Sequence, residues 1–108
     1  MNIVSNDDTK CTAAITSLKE VIDPEIGLNI VDLGLIYAVN FMEEEKRIIC
    51  VMTLTTEYCP MGESIVDNTR QALQSSFSDF GTIEVNLTFD PHWSYSMISE
   101  EGRKFLGR

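Results

Sequence analysis

A cysteine followed by proline stands where an apolar strand pattern gives way to an amphipathic helix pattern, in Leu54-Thr55-Thr56-Glu57-Tyr58-Cys59-Pro60-Met61-Gly62. Proline favours the first position inside a helix, where its missing N–H is no loss, so Cys59 falls at or beside an N-cap. The positive end of the helix dipole biases a thiol there toward thiolate, the form that attacks electrophiles and binds soft metals. Glu63, in the first turn, opposes that bias, since a nearby negative charge raises a thiol pKa. A buried structural cysteine would leave the same local pattern, because free cysteine is among the most buried residue types.

Two further turns carry chemistry-bearing side chains: Asp23-Pro24-Glu25-Ile26-Gly27 and Asp90-Pro91-His92-Trp93-Ser94. With Cys59 they allow two kinds of chemistry. A Cys–His pair would use His92 as base and an aspartate to orient it, but no glycine-rich oxyanion loop accompanies it. Alternatively, Cys59 would ligate a soft metal or an iron–sulfur cluster. A four-thiolate cluster needs more than this one thiol; a second subunit, an external thiol or oxygen ligands would have to complete it. Such an incomplete site suits transient handling better than storage. On local signal alone, Asp23 and Glu25 read as solvated acids at a helix stop, and His92 as a turn residue.

Composition narrows the classes. The chain has 108 residues and a formal charge of -9, with 8 basic against 17 acidic residues. That is enough chain for one domain with a core, expected over 1–108 with residues 1–7 frayed. Scattered Lys and Arg argue against a nucleic-acid partner, since phosphate contacts need clustered positive charge. No apolar run approaches the roughly 20 residues that span a bilayer, and the first residues lack the pattern of a signal peptide. Three widely spaced cysteines at 11, 50 and 59 make no disulfide framework, which points to a reducing, cytoplasmic setting.

The elements that must position these turns follow from periodicity. Cys11, Ala14, Ile15, Leu18 and Ile22 recur at helical spacing, predicting a helix over about 8–22 that stops before Pro24. Strands are predicted over about 35–41 and 47–54, joined by the polar turn Met42–Lys46. In the second, Ile48, Cys50, Met52 and Leu54 share one face, and Cys11 and Cys50 read as packing residues. Its other face is partly apolar, consistent with cover by a second layer or by another copy in a homodimer. A helix over about 60–77 buries Ile65, Thr69, Ala72, Leu73 and Phe77. A strand over 83–89 turns Ile83, Val85, Leu87 and Phe89 inward. A short last helix from about Ser99 to Leu106 has Ser99 as N-cap. Asp32, in an apolar connector, is expected to be buried and to bond nearby backbone N–H groups. The order α-β-β-α-β-α makes an α+β, two-layer α/β sandwich.

The motifs taken together, with Val31-Asp32-Leu33-Gly34-Leu35-Ile36-Tyr37, Met97-Ile98-Ser99-Glu100 and Leu106-Gly107, resemble the metal–sulfur cluster maturation family. That family includes bacterial SufT and PaaD and the eukaryotic cytosolic iron–sulfur targeting proteins. The resemblance runs from about residue 13 to 107. It implies a fold like that of iron–sulfur cluster assembly domains and a non-enzymatic, auxiliary role in iron–sulfur protein maturation. It implies client proteins and other cluster assembly proteins as partners, and a transient iron–sulfur cluster as cofactor. It also implies a site made of Asp23, Glu25, Thr55, Thr56 and Cys59, with Cys59 the metal ligand. The chain departs from the family where His92 replaces the second of two prolines before the tryptophan. A pure adaptor that recruits clients, or a thiol enzyme, are the competing readings.

Overall fold

A computed structural model describes residues 3–56 and 62–107. In chain order the elements are β1 (Val4–Ser5), α1 (Asp8–Leu18), β2 (Ile36–Met42), β3 (Arg47–Met52), α2 (Gly62–Ser76), β4 (Thr82–Leu87), a 3₁₀ turn (Tyr95–Met97) and α3 (Glu100–Phe105). The expected α+β order is recovered, with one addition. β1 lies inside the stretch read as frayed and pairs in parallel with β2, Val4 opposite Ala38 and Ser5 opposite Val39. Two residues leave no periodic signal. The Asn6 side chain extends the ladder: its amide oxygen accepts from Phe41 N–H and its amide donates to Phe41 C=O, both at 2.9 Å.

The sheet runs β1-β2-β3-β4. β2 and β3 form an antiparallel hairpin, and β4 joins β3 in parallel. α1 and α2 cross over between the two parallel pairs and pack against each other. The core lies between them and the sheet. Ile48, Cys50 and Met52 of β3 are fully buried, as their period of two requires. Phe41, Phe77 and Phe80 close one end as a triad with ring centroids 5.2–6.0 Å apart. Burial pushes the Cys50 thiol up to about 12, so it is inert at neutral pH. Cys11 is likewise buried, on α1. Both thiols are packing residues, as read.

Two details differ from expectation. α1 ends at Leu18 rather than near Ile22, because the backbone beyond it is recruited by the next loop: Val21 C=O accepts from Ile30 N–H, and Ile22 bridges Asn29. In β4, Leu87 is 44% exposed rather than inward. It stands opposite Met52 on the core side, but at the edge of the sheet the helical layer leaves it open. The second face of β3 (Arg47, Ile49, Val51) is half-buried.

Candidate functional site

Register decides which loops meet. Ile36 at the start of β2 lies opposite Met52 at the end of β3, and Met52 lies beside Leu87 at the end of β4. The segment entering β2 (19–35) and those leaving β3 and β4 (53–56, 88–99) therefore share one end of the sheet. Asp23 and Glu25 sit in the first, Thr55 and Thr56 in the second, and Asp90, His92 and Trp93 in the third. Cys59, the central residue of the sequence reading, lies outside the described residues.

Main-chain and side-chain hydrogen bonds stitch the three loops together. Thr53 N–H donates to Leu35 C=O (2.8 Å) and Thr88 N–H to Met52 C=O (2.9 Å). The Trp93 indole N–H donates to Leu33 C=O at 2.6 Å, and the Tyr37 hydroxyl to Pro91 C=O at 2.8 Å. Burial pushes the Tyr37 hydroxyl above its usual pKa, against the opposing effect of a hydrogen bond with Thr53, so it remains a donor at neutral pH. Glu25 and Trp93 line a shared cavity of about 270 Å³. Trp93→Phe removes the indole donor while keeping most of the apolar bulk. The expected cost is about 0.5–1.5 kcal/mol, read as a fall in melting temperature of several degrees.

Asp23 is 1% exposed, not a solvated acid. Its Oδ1 accepts from the N–H groups of Glu25 (2.9 Å) and Ile26 (3.3 Å), and its C=O accepts from Gly27 N–H at 2.7 Å. Proline after the aspartate and a glycine at φ +82° make this closed turn possible. The Asp23 carboxylate is thus held by its own turn, whereas Glu25 and Thr56 are exposed and Thr55 is half-buried. No hydrogen bond among the described residues joins Asp23 or Glu25 to Thr55. Nor do three His, Cys, Asp or Glu side chains among them gather as a metal site.

A buried network outside the expected site does the positioning. Asp32 Oδ2 accepts from the Asn29 amide and Oδ1 from the Ser99 hydroxyl, both at 2.7 Å, while Ser99 N–H donates to Asp32 C=O at 2.7 Å. The Ser99 hydroxyl oxygen in turn accepts from Gly102 N–H (3.0 Å), capping α3 as its sequence predicts. Burial opposes ionisation of Asp32. The bonds from Asn29 and Ser99, helped by the Lys19 charge, outweigh it and hold the carboxyl below its usual range. Burial of Asp32 was legible; that its partners are side chains, one of them 67 positions away, was not.

Residues 12–91 match the family model of the iron–sulfur cluster assembly protein. The chain belongs to the iron–sulfur cluster assembly protein family. It is 40% identical over 87 residues to the Fe-S protein maturation auxiliary factor SufT of Staphylococcus aureus, covering 81% of this chain and 97% of that one. It is 38% identical over 93 residues to the Fe-S protein maturation auxiliary factor of Porphyromonas gingivalis, covering 86% and 87%. A crystal structure of a domain of unknown function from Bacillus anthracis superposes with a TM-score of 0.83 at 35% identity, covering 89% of this chain and 90% of that one. The sheet-end convergence described above is therefore set within an iron–sulfur assembly fold. The match includes the Asp23, Thr55, Cys59 and Asp90 segments and stops short of Trp93 and Ser99.

Proposed function

We propose that this protein is an auxiliary factor in iron–sulfur protein maturation that assists cluster assembly or transfer to client proteins through the Cys59 thiol. The observation that carries this is membership of the family over 80 residues (12–91), with maturation factors among relatives matched over most of both chains. Cysteine chemistry supports the assignment of the thiol. Cys11 and Cys50 are buried and unfit to exchange a ligand with a partner. One thiolate cannot satisfy a four-thiolate cluster, so the cluster is cargo, shared with a client, another assembly protein or a second copy of this chain. Glu25, Thr55 and Thr56, at the same sheet end, would supply oxygen ligands or hydroxyl hydrogen bonds, and Asp23 would shape the turn that carries Glu25. No metabolite is turned over in this reading, and a reducing cytoplasm keeps the thiol free.

Anaerobic reconstitution with iron and sulfide, read by visible absorption and iron counting, tests it. The parent is expected to take up cluster and Cys59→Ser to lose most of it. Equal uptake by the two overturns ligation by this thiol. One observation favours a second reading, an adaptor that recruits clients without touching metal: Asp23 Oδ1 is already taken by two N–H groups of its own turn. Full rescue of client activity by Cys59→Ala, with clients still captured, would establish the adaptor instead.

A further inference from the structure

The end of β4 and the first turns of α2 leave a groove of about 490 Å³, walled by Leu54, Val66, Leu87 and Phe89 and bordered by Glu63, Asp67 and Arg70. Leu87 is 44% exposed there. Its floor includes Gly62, three residues after Cys59 in the chain.

The groove runs along an open sheet edge. β4 is the last strand of the order, and Thr82 N–H donates to Lys46 C=O while Thr88 N–H donates to Met52 C=O. Even-numbered residues therefore bond β3. In a parallel pair with unbroken register, the N–H groups of Ile83, Val85 and Leu87 then point to the free edge. An unpaired edge is a template for an added strand. Side chains on the inner face of that strand would enter the groove between β4 and α2.

Charge selects the occupant. Asp67 is paired with Arg70 at 2.5 Å, but Glu63 has no ion-pair partner among the described residues. Glu84 lies on β4 itself and hydrogen-bonds only the neutral Asn86 amide. Pairing β4 antiparallel with a second copy of itself would put the Glu84 side chains of both copies on one sheet face, which like charges oppose.

We propose that β4 and this groove take an extended segment of a client protein that carries an apolar residue and a Lys or Arg two positions apart, on one face of the added strand. The segment adds a fifth strand, seats an apolar side chain between Leu87 and Val66, and sets a cation against Glu63. This rests on the maturation reading for the identity of the partner and brings the client to Gly62, three residues after Cys59 in the sequence.

A random dodecapeptide library displayed on phage, panned against the metal-free protein, supplies the probe. The enriched peptide is then titrated by fluorescence anisotropy. Sequences with an apolar and a basic residue two positions apart are expected. Binding should weaken at least about tenfold in Leu87→Asp and severalfold in Glu63→Lys, and stay unchanged in Val4→Asp at the opposite edge. N-methylation of alternate peptide amides should abolish it. Circular dichroism checks that each variant is folded. Absence of enrichment, acidic consensus sequences, or equal binding by a folded Leu87→Asp would overturn the proposal. So would a dimer in sedimentation that Leu87→Asp dissociates, since a second copy would then own the groove. Because metal is absent, the outcome is independent of cluster handling. Cys59→Ala is expected to bind the peptide fully, so equal cluster uptake by parent and Cys59→Ser refutes the thiol reading alone, and failure of the parent to bind a peptide refutes this one alone.

Discussion

Asp32→Ala is expected to lower folding stability by about 2–4 kcal/mol, which is among the larger costs a single substitution imposes. The carboxylate accepts two hydrogen bonds at 2.7 Å in a site 8% exposed, and alanine leaves the Asn29 amide without that acceptor. The Ser99 hydroxyl, freed to rotate, still caps Gly102. Asp32→Asn should cost less, since its oxygen can accept from Asn29 and its amide can donate to the Ser99 oxygen. The pH dependence separates charge from shape. A carboxyl held below its usual range in the fold contributes stability that is full above the unfolded value and is lost as pH falls through the folded one. The gaps in urea midpoint between the parent and both variants should therefore narrow in strong acid, to the part due to shape and neutral hydrogen bonding, and widen toward neutral pH. A constant gap across the acid range would show that the Asp32 charge is not what holds the loop to α3.

That network marks the boundary of what the sequence discloses. Periodicity recovers the helices, the hairpin and the buried face of β3 because each is local: Ile48, Cys50 and Met52 alternate whatever lies elsewhere. Ser99 is legible as a cap because its partner, Gly102, is three residues on. The sequence reading misses features set by distant residues. β1 exists through pairing with β2, and α1 stops early because Ile30 claims Val21 C=O. Leu87 stays open because β4 is an edge. In the site, the aspartate–proline turn is legible, yet Asp23 reads as solvated because its burial depends on where the turn is packed. The convergence of the three loops follows from strand register, which no single loop encodes.

Gly34→Ala should destabilise by about 2–5 kcal/mol, the sum of a left-handed backbone penalty of about 1–2 and overpacking of about 1–3. Gly34 has φ +81°, and a Cβ there would lie 2.3 Å from Met97 O, 2.8 Å from Met97 Cβ and 2.9 Å from Met97 C. Two of those atoms are backbone, so no rotamer change relieves them; the 3₁₀ turn must move off the loop. Gly27→Ala is the control. It shares the conformation, at φ +82°, with nothing within 4 Å of the added carbon, so it should show the backbone penalty alone. The difference between the two melting temperatures then measures the contact, about 10 °C at the middle of the overpacking range for a domain of this size. Trp93, the one tryptophan, reports the same event optically. Its indole donates to Leu33 C=O, one residue before Gly34, so displacing the 94–98 segment should expose it and shift its emission to the red below the melting transition. Equal losses in the two variants, with unshifted emission, would mean that the two loops do not meet at Gly34. Because Asp23 and Glu25 precede this contact and Trp93 follows β4, the glycine sets how closely the acidic turn can approach the aromatic one, and so the shape of the sheet end from which a cluster would be handed on.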